Sequence, residues 1–170
     1  MATVPDYYGT IEDAASYFAD RLHESAWTDA SPTDRVKALR AATRRIDALN
    51  FKGAKHSVYA ALLADPLASV ETADLAQELE FPRGTDTTVP DVIERACYEI
   101  AHSLLDGKDP ELALEAISVS SQGYSSVRTS YARDQAPLEH VMNLIPSAIA
   151  WTLLKPFLRD SDEVGLSRIS

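Results

Sequence analysis

Cysteine is almost missing: Cys97 stands alone among 170 residues, so no internal disulfide framework or cysteine-rich zinc site can form. The four histidines, His23, His56, His102 and His140, are scattered without metal-ligand spacing, and no metal or cofactor is expected. Glycine is scarce, at 6 residues, and none builds a phosphate-cradling loop; no nucleophile elbow occurs either. Serines are plentiful, yet none sits in a motif that also supplies a base, so no catalytic residue is assigned and the chain does not read as an enzyme.

Positive charge is also short. Lys and Arg number 16 against 26 Asp and Glu, a net charge of −10. Phosphate-backbone binding depends on clustered cations that displace counterions, so tight non-specific nucleic-acid binding is disfavoured. Long hydrophobic runs are absent too. The most apolar window, Val141 to Leu158, is interrupted by Asn143, Pro146, Thr152, Lys155 and Pro156, which predicts a buried helix and no membrane span. No basic start followed by an apolar stretch and a cleavage site is visible, so no signal peptide is expected.

What is present is ordinary for a globular chain: 45% hydrophobic and 25% charged residues, with length for one domain and its core. The pattern is helical. Thr10 can cap a first helix with Asp13 completing a capping box, and Ile11, Ala14, Ala15, Phe18 and Leu22 share one face. Trp27 follows in a loop as a core plug. Ser31-Pro32-Thr33-Asp34 starts a second helix with a capping serine, proline at the first position and an acid in the first turn. Val36, Leu39, Ala42, Ile46 and Leu49 form its buried stripe, while Lys37, Arg40 and Arg44 make a basic ridge on another face. The ridge reads either as a solvated, acid-paired face or as a partner surface.

Asn50-Phe51-Lys52-Gly53 closes that helix. A short helix around Val58–Leu63 and another over Glu71–Glu80 are expected next. Pro82 stops the latter, because it lacks an amide hydrogen and disfavours helical geometry at Phe81. Pro90 restarts a helix, with Thr88 as a cap; Ile93, Ala96, Cys97, Ile100, Ala101 and Leu104 give the cleanest amphipathic pattern in the chain, ended at Gly107. This is the predicted central helix, with Cys97 as a small buried hydrophobe. Asp109-Pro110 opens a short helix through about Glu115. Ile117–Val119 and Val127–Tyr131 then alternate like strands around Ser120–Ser126, which predicts a β-hairpin over about 116–131. A last helix, Ser147–Leu158, carries Ile149, Trp151, Leu154 and Phe157 and is ended or kinked at Lys155-Pro156. The fold class is thus mainly α: a small helical bundle, residues 1–158, with one β-hairpin and an extended C-terminal tail, 159–170.

In this order, several segments resemble the head–tail connector or adaptor proteins of tailed viruses. They are Tyr8-Gly9-Thr10, Ala42-Thr43-Arg44-Arg45-Ile46-Asp47 with Phe51-Lys52-Gly53, Leu79-Glu80-Phe81-Pro82-Arg83, the proline-led helix Pro90–Ala96, Ser130-Tyr131, and Leu153–Leu158. The resemblance covers about residues 7–158. It departs at Phe81, where such proteins often carry Trp, and over 54–71, a longer connection than usual. Members are sometimes labelled DnaT-like single-stranded-DNA-binding proteins.

The resemblance implies a structural virion protein at the neck, assembled in the host cytoplasm. Copies would form a homo-oligomeric ring, usually of 12, beneath the portal protein, extend the DNA channel and receive a neck or tail-completion protein. Double-stranded DNA would pass through without specific binding, as a net-negative lining allows. Phe81, Pro82 and Arg83 are expected to clamp the preceding helix against the central one. Lys37, Arg40 and Arg44 would face a neighbouring subunit or the portal, and Arg159, Val164, Leu166 and Ile169 would belong to a portal-docking tail. The alternative is a single-stranded-DNA-binding accessory protein of replication, which needs aromatics spread over a basic groove.

Overall fold

The computed structural model describes residues 6–118, 121–124, 127–130 and 139–159. The architecture is mainly helical. In chain order it comprises α1 (Ile11–Ala19), α2 (Ser25–Thr28), α3 (Pro32–Asp47), α4 (His56–Ala64), α5 (Val70–Leu75), α6 (Asp91–Leu105), α7 (Pro110–Ser118), β1 (Ser121–Tyr124), β2 (Val127–Ser130), α8 (Glu139–Met142) and α9 (Ala148–Leu154), with a 3₁₀ turn at Lys155–Phe157.

Helix α6 is the axis, packed chiefly against α3 and α9. Its Ile93, Ala96, Cys97, Ile100 and Ala101 are buried, as the helical spacing predicts. The Cys97 thiol lies 3.6 Å from both the Leu39 carbonyl oxygen and the Thr43 hydroxyl of α3, and burial raises its pKa to about 12. It is a core side chain rather than a reactive thiol. Helix α3 begins as its sequence dictates: the Ser31 hydroxyl accepts from the Asp34 amide at 3.1 Å, and Pro32 occupies the first turn, where no amide hydrogen is required. Gly107, at φ +76, ends α6 in the left-handed conformation, with its amide donating to the Leu104 carbonyl.

Several local expectations are corrected. Helix α1 is capped by Thr10, but it stops at Ala19, so Leu22 lies beyond it and is 82% exposed; Ala15 also faces solvent. Trp27 is buried, but within α2 rather than a loop. The helix predicted over Glu71–Glu80 is only Val70–Leu75 and buries no residue. Pro90 itself, not Thr88, is the N-cap of α6, and no side chain caps that end. The last helix is shorter than predicted: Lys155-Pro156 tighten into the 3₁₀ turn, and Ile149 is exposed.

The predicted hairpin is not formed as proposed. Ile117 and Ser118 belong to α7, because extending an established helix costs less than starting a strand. A four-residue ladder pairs Ser121–Tyr124, inside the predicted loop, with Val127–Ser130, within the predicted second strand. Among the described residues, no larger sheet occurs.

Candidate interaction site

The Phe81-Pro82-Arg83 segment lies where the ends of several elements meet. Phe81 is buried and meets three rings edge-on: Tyr8 at 6.1 Å, Phe51 at 4.7 Å and Phe157 at 5.8 Å between centroids. Edge-to-face contact aligns ring quadrupoles favourably. The Phe81–Pro82 peptide is cis. With no amide hydrogen of its own, Pro82 contributes a carbonyl that accepts from the His56 amide and from Gln77 Nε2, both at 2.9 Å.

Arg83 spends its guanidinium on backbone. Nε donates to the Lys52 carbonyl at 3.0 Å and Nη2 to the Gly53 carbonyl at 2.6 Å, while Nη1 donates to the Glu80 carbonyl at 3.3 Å and to the Glu80 carboxylate. The same cation sits 5.7 Å from the centroid of Phe51 and 5.9 Å from that of Phe81. The planar fork matches several carbonyls at once. These contacts join the turn after α3 to the segment before α6, and Phe51 bridges onward to Leu158. The ring partners of Phe81 are thus Tyr8, Phe51 and Phe157, while the same buried cluster extends to Ile93 and Cys97 of the central helix.

Tyr8 completes the junction. Its hydroxyl donates to Asp47 Oδ1 and accepts from the Phe81 amide at 3.2 Å, and its amide donates to Thr43 Oγ1 at 3.1 Å. Burial raises the Asp47 carboxyl above its usual range, although the Tyr8 hydroxyl and the Glu80 amide favour the charged form. Burial, and then Asp47, raises Tyr8 as well. Composition and spacing gave no sign of Asp47; only the fold brings it beneath Tyr8.

A second polar group lies on the opposite flank of α6. Glu99 is 1% exposed, and its two oxygens accept from the Tyr17 hydroxyl at 2.8 Å and from Arg21 Nη1 at 2.7 Å. Burial, followed by that bond to Glu99, pushes Tyr17 up to about 12. Sequence periodicity missed this pair, since a glutamate on an apolar face carries no helical signature of its partner.

The basic ridge is on the surface of α3, and two of its three cations are already engaged. Lys37 pairs with Asp34 at 3.0 Å and Arg40 with Asp6 at 2.6 Å, while Arg44 is exposed. Arg159 is fixed through its backbone, its amide donating to the Asn50 carbonyl at 2.9 Å. Val164, Leu166 and Ile169 lie outside the described residues. The ridge and the Phe81 junction do not form one site.

A family model described as "putative DnaT-like ssDNA binding protein" matches residues 3–168, almost the whole chain. The chain belongs to this family. No curated protein and no solved structure matches it. Most aromatics of this DnaT-like chain whose side chains are described are interior: Tyr8, Phe18, Trp27, Phe51, Phe81, Tyr98 and Trp151 are buried, Tyr7, Tyr17 and Phe157 are partly buried, and Tyr59 is exposed. Many cations are committed as well: Arg35 donates to the Trp27 and Thr28 carbonyls, Arg45 to that of Leu144, and Lys55 pairs with Asp74 and Glu80. Among the described residues, no group of three His, Cys, Asp or Glu is placed to hold a metal ion, and no helix is long and apolar enough to cross a membrane.

Proposed function

We propose that this chain is a structural subunit of a tailed-virus neck, a head–tail adaptor that works by assembly. One observation carries the proposal: among the residues whose side chains are described, most aromatics are buried, and Arg35, Arg45 and Arg83 are held on backbone carbonyls, so few of the groups that a single-stranded-DNA groove requires are presented together. Phosphate and base recognition need those groups at the surface. Protein contact does not, and α4, α5 and the loop between them offer apolar side chains for it: Leu63 is 74% exposed, Leu67 93% and Leu75 79%. The ordered motifs from Tyr8-Gly9-Thr10 to Leu153–Leu158 support the adaptor assignment within that class. The ring of about 12 copies, the portal above it and the neck component below it belong to the same proposal.

The family description favours a second reading, a single-stranded-DNA-binding accessory protein of replication. Under it the purified chain retards single-stranded DNA in a gel, and the shift weakens with added salt.

One infection separates the two. A virus with a nonsense mutation in this gene is examined by electron microscopy while its DNA synthesis is followed. Normal synthesis with separate filled heads and free tails is expected for the adaptor. Failed synthesis with few filled heads overturns it in favour of the replication role.

A further inference from the structure

A cleft of about 960 Å³ opens between α1 and α6, on the flank that carries Glu99. Asp13 and Asp20 line it from one side, Asp91 and Glu94 from the other, and the exposed apolar Leu22 and Ile149 also border it. Glu99, at the wall, is already matched by Arg21. None of the four other acids forms an ion pair within the described residues, and the further cation in the lining is Arg95. Burial, then the neighbouring charges of Asp91 and Asp13, raises the Glu94 carboxyl above its usual value. The cleft is therefore a concave, apolar-edged surface with unbalanced negative charge.

The α3 ridge is its counterpart in sign. Lys37, Arg40 and Arg44 are exposed on α3, beside the half-exposed Ala41. The exposed pairs Lys37–Asp34 and Arg40–Asp6 are of the kind worth little in water, so both cations are open to exchange. The two surfaces also point apart. On α6, Cys97 faces α3, whereas Asp91, Glu94 and Tyr98 lie roughly a sixth to a third of a turn round the helix from it. On α3, the ridge lies nearly opposite the buried Leu39, Ala42 and Ile46. A single copy cannot join its own two surfaces.

We infer that the α1–α6 cleft of one copy receives the α3 ridge of the next, in a head-to-tail contact between identical chains. Such a heterologous contact closes into a ring when its rotation permits. Acids in the cleft meet the guanidinium and ammonium heads, while Leu22 and Ile149 cover the aliphatic stems. The inference rests on the ring-forming reading and gives it an interface.

Charge exchange tests it on the full-length chain, with sedimentation velocity as the readout. Wild type is expected to self-associate. Asp91→Arg/Glu94→Arg and Arg40→Glu/Arg44→Glu should each associate about tenfold or more weakly, because each sets like charges against each other. An equimolar mixture of the two variants should recover assembly, since every contact in an alternating chain is again complementary. Thermal unfolding checks that each variant is folded; the single exchanges Asp91→Arg and Arg44→Glu, both at exposed positions, serve if a double variant is not. Variants that assemble like wild type, a mixture that stays apart, or a wild type that sediments only as a monomer would each overturn the contact. The infection phenotype decides the adaptor role separately in every case.

Discussion

Gly9 lies directly against the ring of Tyr98: a β-carbon built at Gly9 would stand 2.0 Å from the Tyr98 hydroxyl oxygen and 2.6 Å from ring carbons. The backbone at Gly9 also has φ +76, a region that side chains with a β-carbon rarely adopt. The next residue's amide, that of Thr10, donates to the same tyrosine hydroxyl at 3.3 Å. The close approach thus fixes the entry to α1 against α6.

Gly9→Ala should therefore destabilise the fold by roughly 2 kcal/mol or more, from the strained φ and the clash together. Chemical denaturation measures it. Tyr98→Ala in the same chain should relieve the steric part, so the double variant should fall short of the sum of the two singles. Strict additivity would show that the two residues do not press on each other.

At the junction, Phe81→Ala removes a buried ring from contact with three others and should cost about 3–5 kcal/mol. Arg83→Lys keeps the charge but loses the fork that serves Lys52, Gly53 and Glu80, and about 1–3 kcal/mol should follow. A lysine variant with unchanged thermal unfolding would reduce the arginine to a surface charge.

Asp47 yields a prediction with a sign. Its native carboxyl is raised by burial, so the stability it contributes is complete below the ordinary carboxylate pKa and is lost as pH rises through the native value. Asp47→Asn keeps an oxygen to accept from Tyr8 and discards the buried charge, so at neutral pH it should match or exceed wild-type stability. Asp47→Ala leaves the Tyr8 hydroxyl without that acceptor and should cost about 1–3 kcal/mol. An asparagine variant as unstable as the alanine variant would mean that the charge itself is required.

His102 runs the other way. Its ring packs 5.3 Å from that of Phe18, its Nε2 lies 3.1 Å from the His23 carbonyl oxygen, and burial, followed by the charge of Arg21, lowers its pKa below 6.5. The unfolded chain then binds this proton more readily than the native one. The associated stability is complete above about pH 6.5 and falls as pH drops toward the lower native value. The wild-type chain should lose more stability than His102→Gln between pH 7 and pH 5; equal losses would remove His102 as the cause.

Much of the helical framework is legible from short-range chemistry. Ser31-Pro32 and Asp34 specify the start of α3 through caps and a proline without an amide hydrogen, and Gly107 specifies the end of α6 through a left-handed backbone. The spacing of Ile93, Cys97 and Ile100 marks the face that becomes the core. Each signal acts within a turn or two of helix, so the sequence carries it complete. The surroundings of Phe81 were only half legible: its burial follows from its type, but its ring partners come from both ends of the chain.

The sequence by itself determined a mainly helical chain, the caps of α1 and α3, the stop after α6, a central α6 and an acidic balance. Tertiary structure decided which apolar residues found partners: Leu22 and Leu75 fit helical patterns and ended exposed. It also set Asp47 beneath Tyr8, Glu99 between Tyr17 and Arg21, and the acids of α1 opposite those of α6. The reason is range. Capping, helix breaking and periodicity act between near neighbours, whereas a buried charge or a cleft exists only once segments far apart in the chain have packed together.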